Sequence, residues 1–252
     1  MLKVRVIPCL LLRNNGLVKT VKFKDPKYVG DPINAVKIFN EKEVDELIFL
    51  DITATEEKKK PNFKLIRDIA GECFMPLAYG GGIRNIEDIR EILALGAEKV
   101  ILNSYAIENP SFIREASFLF GSQSIVVSID IKKSLFGKYE IYVARGTKNT
   151  KIDPVRLAVN MAELGAGEIF LNSVDRDGTQ QGFDGDLIKR VASTVDIPII
   201  ACGGAGKLED FVEAVQAGAS AVAAGSFFVF HGKHRAVLIS YPEYHTLEEI
   251  LG

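Results

Sequence analysis

The chain has few cysteines, and the three it has, Cys9, Cys73 and Cys202, are far apart. They form no CxxC pair and no disulfide framework, so a reducing, cytoplasmic setting is expected. An excess of charge of one sign is also lacking. A formal net charge of −2 gives no general attraction to nucleic acid or to an anionic membrane. No apolar run approaches the roughly 18 residues of a membrane span. His231 and His234 lack the HxxH-plus-carboxylate context of a metal site, and no metal or cofactor is expected. The opening segment, Met1 to Pro8, is too short and too interrupted for a signal peptide and reads as a first strand. What is present is 252 residues, 47% hydrophobic and 25% charged, enough for a single domain over 1–252 with a full core.

One stretch occurs twice. Tyr79-Gly80-Gly81-Gly82-Ile83-Arg84-Asn85-Ile86-Glu87-Asp88, running on to Asn103-Ser104, is echoed by Cys202-Gly203-Gly204-Ala205-Gly206-Lys207-Leu208-Glu209-Asp210, running on to Gly225-Ser226. At an offset of 122 positions, Gly81, Gly82, Glu87, Asp88, Glu91, Gly96, Ala97, Val100 and Ser104 all find their own residue type. That density points to duplication, with half-barrels of about 1–122 and 123–240.

Short β-branched runs alternate with amphipathic stretches. Strands are expected at 4–10, 46–51, 75–80, 98–103, 124–130, 168–173, 197–201 and 220–224. Helices are expected at about 32–42, 61–71, 86–95, 110–119, 154–164, 184–193 and 207–217. Several should open at Pro32, Pro61, Pro110 and Pro154, and Gly96, Gly165 and Gly218 should follow helix ends. Eight strand-helix units of this length predict a (β/α)8 TIM barrel, an α/β fold. Three segments follow strand C-termini, where such barrels build their active sites: a long polar loop at 19–31, a charged loop at 52–60 and a hairpin within 132–150. Plain solubility would also explain the charged ones.

Gly81-Gly82 and Gly203-Gly204 each lie between a strand and a helix. Glycine there lets backbone N–H groups approach an anion without interference from Cβ. Asn103-Ser104 and Gly225-Ser226 add further donors, and helix N-termini add partial positive charge. The sequence therefore predicts two anion sites facing each other across the barrel mouth. The alternative is that the glycines only make tight turns.

These residues resemble the cyclase subunit of imidazole glycerol phosphate synthase over about residues 1–230. The motifs are Ile7-Pro8-Cys9-Leu10, Phe49-Leu50-Asp51-Ile52-Thr53-Ala54, Gly80-Gly81-Gly82-Ile83, Ile129-Asp130, Asp175-Arg176-Asp177-Gly178-Thr179 and Gly203-Gly204-Ala205-Gly206-Lys207. The sister isomerase shares the repeat and lacks the Asp-Arg-Asp-Gly-Thr signature. The resemblance implies a ligand with a phosphate at each end, held by Gly82, Asn103 and Ser104 on one side. Asp177, Gly178, Gly204, Gly225 and Ser226 would hold the other, and Lys19 and Asp51 fall on further active-site positions. It also implies ammonia delivered by a glutaminase partner docked at the barrel bottom, and two aspartates for acid-base chemistry.

Only one of those aspartates is here, Asp130. The other position carries Leu11, which has no donor, acceptor or titratable group. The tail from Phe227 onwards also departs, looking extended where the family has a last amphipathic helix. Both departures resemble a branch associated with bacterial surface-polysaccharide synthesis. That branch implies ammonia supplied to a third protein, a sugar amidotransferase. A true histidine-pathway cyclase and a non-catalytic glutaminase-activating scaffold are the competing readings. At the barrel bottom, Arg5, Glu46, Lys99 and Glu168 open otherwise apolar strands. In the resembled family they gate ammonia; a structural salt-bridge plug is the alternative. Glu46→Ala or Lys99→Ala is expected to alter coupling to the glutaminase and leave the fold intact.

Overall fold

The computed structural model describes residues 4–232 and 234–252. Met1 to Lys3 of the opening segment, and Lys233, lie outside the described residues. Eight strands alternate with helices: β1 (Arg5–Arg13), β2 (Leu47–Asp51), β3 (Leu77–Gly80), β4 (Lys99–Leu102), β5 (Ile125–Lys133), β6 (Glu168–Ser173), β7 (Ile199–Cys202) and β8 (Ala221–Ala224). Each pairs in parallel with the next, and β8 returns to β1, closing a (β/α)8 barrel. The helices around it are α1 (Pro32–Glu41), α2 (Phe63–Glu72), α3 (Ile86–Ala94), α4 (Ser111–Phe120), α5 (Pro154–Glu163), α6 (Gly185–Ala192), α7 (Leu208–Gln216) and α8 (Tyr244–Leu251). Among the described residues, no helix is long and apolar enough to cross a membrane.

Local sequence explains the helix boundaries. The side chains of Asp31, Asn62, Asn85, Asp153 and Asp184 accept hydrogen bonds from first-turn N–H groups, which would otherwise lack partners. Pro32 and Pro154 occupy the first turn as expected. Pro61 and Pro110 do not: helix α2 opens at Phe63 behind its Asn62 cap, and Pro110 precedes Ser111. Gly96, Gly165 and Gly218 follow helix ends at positive φ.

The core has two parts. One lies between strands and helices. The other fills the barrel itself, where Ile7, Ile48, Ile101, Val126, Phe170 and Ile200 are almost fully buried. Strands covered on both faces need apolar side chains on both, which the short Ile- and Val-rich runs supply.

Register relates the two halves. Leu11 pairs with Leu50, Leu50 with Gly80, and Gly80 with Ile101. Asp130 pairs with Asn172, Asn172 with Cys202, and Cys202 with Ala223. Leu50, Gly80 and Ile101 stand at the same offset from Asn172, Cys202 and Ala223 as the repeated glycines do. Leu11 thus occupies on β1 the level that Asp130 occupies on β5.

Two segments differ from the sequence expectation. Residues 19–31 are no loop. They belong to Gly16–Val21 and Lys24–Gly30, antiparallel strands extending β1. Asn14-Asn15 and Lys22-Phe23 both sit at φ between 49° and 65°, as the tight turns of two-residue hairpins require. The tail after β8 is only partly extended. A helical turn, Ser226–Val229, leads to a small hairpin, Phe230–His231 against Ala236–Val237, and then to α8. The expected hairpin after β5 is present: Tyr139–Val143 runs antiparallel to β5.

Candidate functional site

The C-terminal ends of the strands open into one cavity of about 150 Å³. Its walls are tied by loop-to-loop contacts. The hairpin after β1 docks on the loop after β6: the Lys22 N–H donates to the Asp177 carbonyl at 2.9 Å, and the Thr20 hydroxyl to the Asp177 carboxylate at 3.0 Å. Across the mouth, Arg145 from the β5 hairpin donates to Glu56 of the 52–60 loop at 2.8 Å. Lys19, Asp51, Asn103, Ser104, Asp130, Asp177, Gly225 and Ser226, all singled out from sequence, line this cavity.

Gly82, Gly178 and Gly204 do not line it. Their φ values are 75°, 69° and 119°. A Cβ on Gly82 would lie 2.8 Å from the Lys59 carbonyl oxygen; on Gly178 or Gly204 it would collide with the carbonyl of Thr20 or Gly182. These glycines are required where the loops of the mouth cross at close range. The close crossings account for glycine at these three positions.

Asp130 sits at the floor, between two amides. Asn103 Nδ2 donates to its Oδ2 at 3.0 Å, and Asn172 Nδ2 to its Oδ1 at 3.1 Å. Burial pushes the Asp130 carboxyl up to about 7, against the pull of the two amides. A group that ionises there can give and take a proton near neutral pH. Asn172 Oδ1 is buried without a hydrogen-bond partner among the described residues, so an acceptor stands beside Asp130. Asn172 was not singled out in the sequence. Its register place, opposite Leu50 in the other half, is the signal that would have found it.

The raised Asp130 carboxyl also sets a stability prediction. The folded chain holds that proton more tightly than the unfolded chain between about pH 4 and pH 7, so its contribution is fully present below pH 4 and lost as pH rises through 7. Asp130→Asn should remove this slope. Allowing for the face open to the cavity, the variant should gain roughly 2 kcal/mol on wild type between pH 4 and pH 8. Urea melts of both proteins across that range give the difference, and a gap that stays constant would refute it.

Lys19, on the hairpin strand, is buried and donates to the Cys9 carbonyl. Burial pulls its ammonium down. Burial pushes the Asp177 carboxyl up, opposed by the Thr20 hydroxyl and by Lys19. Asp51 uses one oxygen to shape its own loop, accepting from the Thr53 N–H and hydroxyl, both at 2.9 Å, and from the Ala54 N–H at 3.1 Å.

At the opposite end of the barrel, the four charged strand openers meet. Arg5 pairs with Glu46 and, at 2.7 Å, with Glu168. Lys99 pairs with Glu46 at 2.9 Å and Glu168 at 3.3 Å. Cations and anions alternate round a closed ring.

A closed parallel barrel with a buried, titratable carboxyl at the floor of its mouth, and a charged ring at the far end, defines the class: a (β/α)8 TIM barrel. The sequence model of the histidine biosynthesis protein family matches residues 5–235, and the chain belongs to that family. A Pseudomonas aeruginosa protein provisionally named imidazole glycerol phosphate synthase subunit hisF2 is 56% identical over 249 residues, 98% of this chain and 99% of the relative. A Leptospira interrogans protein, provisionally named imidazole glycerol phosphate synthase subunit HisF, is 51% identical over 96% of each chain. The imidazole glycerol phosphate synthase subunit HisF of Alkaliphilus metalliredigens is 44% identical over 92% of each.

Proposed function

We propose that this single-domain, twice-repeated half-barrel is an ammonia-accepting synthase subunit that has given up efficient imidazole formation. In this reading a glutaminase docks at the barrel bottom, and the ring of Arg5, Glu46, Lys99 and Glu168 controls entry. Neutral ammonia then passes the apolar interior around Phe170, where ammonium would be penalised by loss of hydration. It emerges beside Asp130 and the unpartnered Asn172 oxygen. Asn103 and Ser104 bind one phosphate of the ligand, and Gly225 and Ser226 the other, with Lys19 and Asp51 between. Gly82, Gly178 and Gly204 hold the loops that shape these walls. The product serves the amidation of a surface-polysaccharide sugar by a sugar amidotransferase.

One observation carries this reading: Leu11 stands at the β1 level that Asp130 holds on β5. A ring closure that needs a proton donor and a proton acceptor on opposite walls finds only one. The experiment mixes purified chain, ammonium salt and the histidine-pathway ribonucleotide, and follows imidazole formation. We expect a rate roughly 10²–10⁴ below that of a two-aspartate family member. Turnover within tenfold of such a member would sink the proposal and favour a histidine-pathway cyclase, the second reading. Asp130 near 7 and the names of the relatives speak for that second reading. A pure scaffold, the third, would bind no anion at either wall.

A further inference from the structure

The small hairpin after β8 is mostly exposed: His231, Gly232, His234, Ala236 and Val237 all face solvent. Among its described residues Phe230 is buried and Arg235 is half-buried. Its φ of 50° lies in the left-handed region, which an arginine rarely adopts. The turn is closed by the Arg235 N–H on the Gly232 carbonyl at 3.0 Å. The guanidinium is laid over the Phe230 ring, 4.7 Å from its centre. Its Nη2 donates to the Gly178 carbonyl at 3.2 Å and stands 3.5 Å from the Ser226 hydroxyl. At the preceding residue, Lys19 Nζ lies so close to Gly225 that a Cβ there would collide with it.

We propose that Arg235 is an anion-binding residue of the β8 wall, clamping the phosphate monoester end of the ligand. The inference rests on the anion site proposed above at Gly225 and Ser226. Three points support it. Among the described residues Arg235 has no carboxylate partner, and its Nη1 and Nε have no hydrogen-bond acceptor. Three of the five guanidinium N–H donors, those on Nη1 and Nε, are therefore left for phosphate oxygens. Lys19 has Asp177 nearby as a counter-charge, so the net positive charge of this wall comes from Arg235. Arg235 does not itself line the cavity; stacking on Phe230 holds its guanidinium 3.5 Å from the hydroxyl of Ser226, which does. The opposite wall, at Asn103 and Ser104, offers only neutral donors among these named residues. The two ends of the ligand are thus told apart, the more highly charged end going to Arg235.

The test is a titration of nitrogen-labelled full-length chain with inorganic phosphate. Amide shifts of Gly225 and Ser226 report this wall, and those of Asn103 and Ser104 the other. Arg235→Gln keeps a donor for the Gly178 carbonyl and loses the charge. It should weaken phosphate binding at Gly225 and Ser226 about tenfold or more, leave the opposite wall unchanged, and melt with wild type. Arg235→Lys should recover part of the loss. Wild-type affinity at Gly225 and Ser226 in Arg235→Gln would overturn the role of Arg235 while the two anion sites stand. Absence of any phosphate shift at Gly225 and Ser226 in wild type would overturn both. A loss equal at the two walls would show a general loosening and would also overturn it.

Discussion

Leu11→Asp is expected to raise imidazole-forming turnover with ammonium salt by roughly 10²–10⁴. Leu11 lines the cavity, and its strand neighbours Leu50 and Val18 are fixed by pairing. An aspartate there therefore enters an existing register. It comes to the level that mirrors Asp130, on the far side of the floor. The new carboxylate lacks the amide pair that flanks Asp130, since Leu50 stands where Asn172 stands in the other half. Its carboxyl should therefore be raised further by burial and favour the role of proton donor. The cost to the fold should be about 1–3 kcal/mol, the penalty for burying a polar group without a full set of partners. Leu11→Asn has nearly the same shape and cannot exchange a proton, so it should show no gain. Asp130→Asn on the Leu11→Asp background should return turnover to the starting level. A folded Leu11→Asp protein with no more than threefold gain would mean that something other than the missing carboxylate limits the chemistry.

The barrel was legible because strands and helix boundaries are written locally: β-branched runs, proline in the first turn at Pro32 and Pro154, and glycine after helices at Gly96, Gly165 and Gly218. The segments misread were those where charge masked pattern. Lys19, Lys22, Lys24 and Lys27 make 19–31 look like a solvated loop, yet Lys19 is buried in a strand and only the other three lysines face water. The Asn14-Asn15 pair, at positive φ, is the turn signal that the sequence reading did not use. The glycines of the repeat were read for the anions they could admit. Gly81, Gly82, Gly203 and Gly204 each stand where a Cβ would meet a carbonyl oxygen of a residue distant in sequence, a long-range contact that no local pattern records. Arg235 and Asn172 share this reason for being missed. Their meaning lies in what the loop after β6 and strand β5 bring to them, from 57 and 42 positions away.

The ring at the barrel bottom should be a stability element as well as a gate, and Glu46→Ala should show it by losing roughly 3–5 kcal/mol. The Glu46 side chain is 2% exposed and accepts from both Arg5 and Lys99. Its removal leaves two cations sharing Glu168, which already binds both. One carboxylate cannot neutralise two partly buried cations, so one of them must be rehydrated or remain unpaired. In a chain of this size the loss corresponds to a fall in melting temperature of roughly 6–20 °C. Lys99→Ala should cost less, because its ammonium is more exposed, at 15%, and Glu46 keeps Arg5. The sequence alone suggested that either substitution would spare the fold. The geometry separates them, and makes Lys99→Ala the cleaner probe of ammonia entry. Chemical denaturation of the two variants beside wild type measures the first effect. Transfer of glutamine-derived ammonia in the reconstituted complex measures the second. If Glu46→Ala unfolded within 0.5 kcal/mol of wild type, the ring would be hydrated and loosely held. A gate built on its closure would then have no physical basis.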